Sequence, residues 1–255
     1  MRVVITGGTS GIGYGTACLA AARGWEVTVI GRDRARGDRV ASELGVKFIQ
    51  TDLSNLSDTL RLADEIDGPV DALVLCAGVV SFGTKMSVTE EGYETTFATN
   101  YLSKFALTQT LLQQNKIGRD RCIVMTGGNG NHRNSPTDWT GRHSGMQAAL
   151  KAALAVDLYA SELAKRNPEL RVHTCYPGMV RTNLFKEAPF PLPLLSRLFG
   201  KSIAKGSSYF YRLLSEKHAE VHWKQDRPLQ FSPPLPSRRI VEALWSYSQS
   251  AITLP

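Results

Sequence analysis

No stretch of the 255 residues approaches the roughly 18 consecutive apolar residues that a membrane-spanning helix needs, and no basic segment with an apolar core opens the sequence. No integral membrane segment is expected, and the location expected is cytoplasmic. Cysteine is scarce: Cys18, Cys76, Cys122 and Cys175 stand singly in apolar stretches, with no Cys-x-x-Cys pair and no metal-ligand spacing. Neither a disulfide framework nor a metal centre follows from such a pattern. Long basic runs are missing too, so the net charge of +7 does not point to nucleic acid as a partner. Repeats and low-complexity segments are absent. With 42% hydrophobic residues, residues 1–255 suffice for one core and are expected to form one domain.

What is present begins at the N-terminus. The apolar, β-branched run Met1 to Thr6 leads into Gly7-Gly8-Thr9-Ser10-Gly11-Ile12-Gly13 and then into a helix-like segment from Tyr14 to Arg23. Strand, glycine turn and helix in this order make a phosphate cradle, because the backbone N–H groups of a helix start point at the anion. Gly7 suits the tight turn, Gly11 lets the main chain approach a pyrophosphate, and Gly13 lets the helix pack on the strand. The pattern carries one residue more before its central glycine than the usual dinucleotide fingerprint.

Strands and helices then alternate. Strands are expected at Trp25 to Ile30, Val46 to Gln50, Asp71 to Cys76, Arg121 to Thr126 and Arg171 to Tyr176. Helices are expected at Arg34 to Leu44, Asn55 to Ile66, Thr89 to Gln114 and Ser144 to Lys165. This is the signature of an α/β fold, a Rossmann-type doubly wound parallel sheet with helices on both faces. Such sheets bind ligands beyond the C-terminal ends of their strands.

The residues at those ends are informative. Gly31-Arg32 follows strand two, where an NAD site would place an acid; an arginine suits a 2′-phosphate instead, so NADP(H) is favoured over NAD(H). The wider cluster of Arg32, Arg34, Arg36 and Arg39 reads either as a partner for that phosphate or as a solvated helix face. Asp52, beside Leu53, is placed to accept from the adenine amino group or to cap the next helix. Ala77 and Gly78 leave room for close approach of the cofactor.

Thr6 to Gly13, Asp52-Leu53, Ala77-Gly78, Asn100 within Phe97 to Phe105, Lys151, and Pro177-Gly-Met-Val-Arg-Thr182 together resemble the short-chain dehydrogenase/reductase family. The likeness runs along the whole chain, its later part being most similar to the retinol dehydrogenase-like and protochlorophyllide reductase-like branch. The resemblance implies an Asn-Ser-Tyr-Lys tetrad. In it, tyrosine is the general acid, serine orients it, lysine lowers its pKa and holds the nicotinamide ribose, and asparagine supports the lysine through a water. Asn100 and Lys151 match. The tyrosine position falls on Gln147 and the serine position on Gly128, after Gly127, so both hydroxyls are missing. The resemblance further implies that Thr6, Gly7, Thr9, Ser10, Gly11, Ile12, Gly13, Asn100, Lys151, Pro177, Gly178, Val180 and Thr182 contact the cofactor; Thr182 also suits the cap of a following helical turn.

A glutamine amide donates a hydrogen bond but releases no proton near neutral pH, and general acid catalysis is worth about 10²–10⁴ in rate. Candidate replacements are His143, four residues before Gln147, with His132, Asn129, Asn131 and Tyr176 nearby in sequence or at a strand end. Gln147→Tyr with Gly128→Ser is expected to raise carbonyl reduction. Phe185 to Phe199, rich in Pro, Leu and Phe, suggests a substrate lid at about 183–205 and an apolar small-molecule substrate; an amphipathic piece docking on the core or a membrane face is the alternative. A C-terminal extension at about 220–255 holds an edge strand and then an amphipathic helix from Arg238 to Ser248. The expected activity is NADP(H)-dependent hydride transfer with an atypical proton donor. The alternatives are a redox-silent cyclase or isomerase that keeps the cofactor as a structural element, and a non-catalytic NADP(H)-binding protein. The long helices either pair in a homodimer or only cover the sheet.

Overall fold

The computed structural model describes residues 1–82 and 86–253. Residues 83–85 and 254–255 of the expected domain lie outside the described residues. One sheet is built from β1 (Arg2–Thr6), β2 (Glu26–Gly31), β3 (Lys47–Gln50), β4 (Ala72–Leu75), β5 (Cys122–Thr126), β6 (Arg171–Tyr176), β7 (His222–Lys224) and β8 (Arg227–Pro228). Their order is β3-β2-β1-β4-β5-β6-β7-β8. Every neighbouring pair is parallel except β7 with β8. The order reverses between β1 and β4, and that switch point opens the ligand crevice.

The helices are α1 (Gly11–Ala21), α2 (Arg34–Leu44), α3 (Leu56–Glu65), α4 (Thr95–Phe97), α5 (Ser103–Gln113), α6 (Gly145–Arg166), α7 (Leu192–Phe199), α8 (Ile203–Ser215) and α9 (Arg238–Ile252). They divide between the two faces because strand residues alternate. Val3 and Ile5 of β1 join Ala17 of α1 and Phe210 and Leu213 of α8 in one core. Val4 faces the other way, into the core formed by α3, α5, α6 and α9. Among the described residues no helix is long and apolar enough to cross a membrane.

Three expected elements are changed. The helical region expected from Thr89 starts only at Thr95, because Val88 and Glu94 form an antiparallel bridge around Gly92, whose φ is +86°. Glu94 then caps the helix by accepting from Thr96 N and Phe97 N at 2.9 and 2.7 Å. The same rod is interrupted by a π turn over Ala98–Leu102, between α4 and α5. Helix α8 was not expected, since Gly206, Ser207 and Ser208 depress its intrinsic propensity. Those small residues serve a tertiary purpose: a β-carbon on Gly15 would lie 2.2 Å from Ser207 Oγ, and that hydroxyl donates to Ile12 O at 2.9 Å, so α1 and α8 are in close contact. The expected edge strand is a short hairpin of β7 and β8, turning at Gln225 with φ +62°.

Candidate active site

The turn between β1 and α1 has the positive-φ glycines that the sequence pattern predicts. Gly7 and Gly11 have φ of +67° and +56°. A β-carbon on Gly7 would lie 2.8 Å from Ala77 N, and one on Gly13 would lie 2.4 Å from Gly7 O, so the turn is pressed against the end of β4 and against its own helix. Gly11 faces Thr182 across the mouth of the crevice, with only 3.1 Å from its β-carbon position to Thr182 Cγ2. Ser10 occupies the N-cap of α1 without a side-chain hydrogen bond, whereas Asp33 and Asn55 cap α2 and α3. Among the described residues the first-turn N–H groups of α1 thus have no side-chain cap, which leaves them available to an anion.

At the far end of the crevice, a groove of ≈ 490 Å³ is lined by Arg32, Gln50, Thr51, Asp52, Arg61 and neighbouring acids. Arg34 and Arg36 are ion-paired with Asp38 and Asp33 on the helix surface, so the solvated-face reading holds for these two. Arg32 is exposed and has no carboxylate partner among the described residues. Asp52 does not cap α3; its Oδ1 accepts from Ser54 N and Ser54 Oγ at 2.9 and 2.8 Å, and Asn55 provides the cap. Leu53 turns its side chain into the core.

The loop after β4 is held from the π turn. Asn100 grips Val79 twice: its Oδ1 accepts from Val79 N and its Nδ2 donates to Val79 O, both at 2.8 Å. Lys104, which the sequence reading missed, donates from Nζ to Ala77 O at 2.7 Å, and burial holds its pKa down at about 8. Its signal was a lone charge in the apolar run Tyr101 to Leu107. On the other side, Pro177 is buried, Gly178 has φ +77°, and Val180 bridges to Lys201. Thr182 Oγ1 accepts from Leu184 N at 3.4 Å and so caps a 3₁₀ turn at Asn183–Phe185.

Among the described residues, no two of Asn100, His143, Gln147 and Lys151 share a hydrogen bond. Lys151 Nζ donates to Trp139 O and Gly141 O at 3.0 and 2.5 Å and lies 4.7 Å from the Phe97 ring centroid. Its burial lowers its pKa, against the opposing pull of Asp138 and Glu94. Gln147 is exposed. His143 Nε2 pairs with the exposed Asp138 at 2.8 Å, an interaction that lowers the Asp138 pKa. Asn129 and Asn131 accept from backbone N–H groups two residues on, and burial raises the pKa of Tyr176.

The space beside Gly127 and Gly128 is filled by a polar cluster of which the sequence reading offered only His132. Asp157, with no solvent exposure, accepts from Gly128 N at 3.2 and 3.1 Å and pairs with His132 Nε2 at 2.9 Å. His222 Nδ1 lies 3.9 Å from the same carboxylate and 2.8 Å from Thr174 Oγ1. Phe231 stacks on His132 at 5.7 Å and meets His222 edge-on at 4.8 Å. A β-carbon on Gly128 would lie 2.6 Å from Asp157 Oδ2 and 2.7 Å from His132 Cε1. A serine at 128 would thus crowd the Asp157 and His132 side chains, one of which must shift, and this tells against the Gly128→Ser half of the double substitution. At about 100° per residue, Asp157 and Lys151 lie about a third of a turn apart around α6, so the face of α6 that meets Gly128 is not the face that carries Lys151.

The sequence and fold have close counterparts. The family model described as short chain dehydrogenase matches residues 1–190. A short-chain type dehydrogenase/reductase of Sinorhizobium fredii is 30% identical over 213 residues, covering 83% of this chain and 82% of that one. Human retinol dehydrogenase 12 is 28% identical over 96% of this chain and 84% of its own. A short-chain dehydrogenase from Sphingobium yanoikuyae, solved in complex with NADPH, has 22% identity and a TM-score of 0.66 over 99% and 94% of the two chains. A match that takes in the glycine cradle, the π turn and all but the last quarter of the chain settles the lineage: the chain belongs to the short-chain dehydrogenase/reductase family of oxidoreductases.

Proposed function

We propose that this chain is an NADP(H)-dependent oxidoreductase acting on a hydrophobic small molecule, with a proton donor other than the family tyrosine. One observation carries the cofactor half of the reading: the start of α1 has no side-chain cap and shares its crevice with Arg32, a guanidinium without a carboxylate partner among the described residues. Thr9 to Gly13 would hold the pyrophosphate, Arg32 the 2′-phosphate and Asp52 the adenine, while Pro177 to Thr182 would line the nicotinamide end. When bound, the cofactor supplies or accepts the hydride. The NADPH complex of the Sphingobium relative supports the choice of dinucleotide, and the likeness to a retinol dehydrogenase supports an apolar substrate.

For the proton, the Asp157-His132 pair is better placed than His143, since it occupies the space of the missing serine. A second reading rests on the same cluster. With that space filled and Lys151 tied to two carbonyls, the cofactor could serve as a structural element for a cyclisation or isomerisation. Two measurements on the full chain separate the readings: NADPH fluorescence on titration, and loss of reduced-nicotinamide absorbance with a panel of apolar enones and ketones. Turnover supports the oxidoreductase. Tight binding without turnover favours the redox-silent enzyme, and binding of neither NADPH nor NADH rejects both.

A further inference from the structure

Helix α7 is packed inside out. A surface helix normally turns its apolar stripe to the core, but the one buried residue of α7 is Ser196, 4% exposed, while Leu194, Leu195, Leu198 and Phe199 are 45, 38, 61 and 77% exposed. These four lie at i, i+1, i+4 and i+5, so they form one stripe. Phe190, 83% exposed, and Leu184, 40% exposed, extend the apolar surface toward the N-terminal end of the segment. Contiguous exposed apolar surface of this kind marks an interaction site.

The charges around it say what kind. Between residues 181 and 205, Arg181, Lys186, Arg197, Lys201 and Lys205 stand against the single acid Glu187. None of the five cations has a carboxylate partner among the described residues. A second copy of this chain would bring the same excess of cations to the contact. An anionic phospholipid surface matches both features, taking the leucine and phenylalanine side chains among its acyl chains and the lysine and arginine side chains at its headgroups. We propose that residues 184–199, with α7 at their centre, dock this chain peripherally on anionic membranes. The inference goes beyond the oxidoreductase reading and does not depend on it; together the two place an apolar, membrane-dissolved substrate beside the crevice that Thr182 borders.

The test is flotation of the cofactor-free full chain with vesicles of phosphatidylcholine alone or with about 30% phosphatidylserine. The parent chain is expected to float with the anionic vesicles and to be released at about 0.5 M salt. Phe190→Ser/Leu198→Ser/Phe199→Ser should weaken partitioning at least about tenfold, and Lys186→Glu/Arg197→Glu by about tenfold on anionic vesicles only. Because all five side chains point outward, unchanged circular dichroism is expected for each variant, and it shows that a loss of flotation is not unfolding. Failure of the parent to float, or equal flotation of the triple variant, overturns the proposal. So does lipid-free self-association that the triple variant abolishes, which would assign the stripe to a second copy. NADPH titration of the same samples scores the oxidoreductase reading separately.

Discussion

Asp157 is a carboxylate without solvent, and its tolerance of burial rests on the Gly128 N–H and His132 Nε2 that face it. Any side chain at 128 must enter that contact. Gly128→Ser is expected to destabilise the fold by about 1–3 kcal/mol through overpacking, with no gain in carbonyl reduction, whereas Gln147→Tyr alone, at an exposed site, should be near neutral. Urea unfolding of the two single variants checks this; a serine variant as stable as the parent would show that the cluster yields. A second buried group sets an acid limit. His173 Nδ1 donates to Glu220 O at 2.8 Å, its Nε2 has no partner among the described residues, and burial pushes its pKa down to about 4 from the usual 6.5. Between pH 6.5 and 4 the unfolded chain therefore binds a proton that the native chain refuses. Stability falls as the pH drops through that window, by up to about 3 kcal/mol. His173→Gln should flatten the loss between pH 7 and 5 in denaturant midpoints, and an unchanged slope would assign it to other groups. Neither cluster was legible in the sequence, because Gly128, Asp157 and His222 are far apart in the chain and meet only through β5, α6 and β7.

At the scale of elements, α9 fills the groove between α5 and α6. Trp245 meets Phe105 edge-on at 5.3 Å, lies 5.9 Å from Tyr159 and carries the Arg166 guanidinium at 4.0 Å. Tyr101 Oη and Ser248 Oγ share a 2.7 Å hydrogen bond beneath it, and Trp139 Nε1 donates to Ile240 O. The chain's own C-terminal helix thus covers part of the outer face of α5 and α6, the helices that a homodimer was expected to pair or that only cover the sheet. Trp245→Ala should cost about 3 kcal/mol and make the chain associate, since it uncovers Phe105 and Tyr159. Light scattering at rising concentration would detect this, and a parent chain that is itself dimeric would show that another face pairs. Elements whose residues alternate with strand or helix period, such as β1, α2 and β6, were legible with their boundaries nearly intact. Helix α8 and the late start of α4 were not. Their limits come from the Gly15–Ser207 contact and the Val88–Glu94 bridge, which are tertiary facts.

Across the whole molecule, the half proposed to hold a dinucleotide and the half proposed to decide its chemistry are specified differently. The turn is local: Thr6 to Gly13 encodes the strand end, the turn and the helix start within eight residues, and the structure forms all three, with the helix beginning at Gly11, three residues earlier than expected. The chemistry depends on which loop lies over α6, and here Trp139 and Gly141 take the Lys151 ammonium that the family resemblance assigned to the cofactor. Cofactor affinity should therefore respond to the first half almost alone. NADPH at about 100 times its dissociation constant should stabilise the native state by about 2.7 kcal/mol, or about 5–10 °C in melting temperature for a domain of this size. NADH, lacking the 2′-phosphate, should give a smaller shift at the same concentration. Arg32→Glu replaces an attraction with a repulsion and should weaken NADPH at least about tenfold while leaving NADH within about threefold, because a charge-assisted pair is worth about 1.5–3 kcal/mol. Lys151→Met, by contrast, should lower the melting temperature of the free chain, through loss of the loop tether, more than it lowers the NADPH-induced shift. Equal shifts with both dinucleotides that survive Arg32→Glu would place the 2′-phosphate elsewhere; an NADPH shift abolished by Lys151→Met would mean that the ammonium leaves its carbonyls for the cofactor.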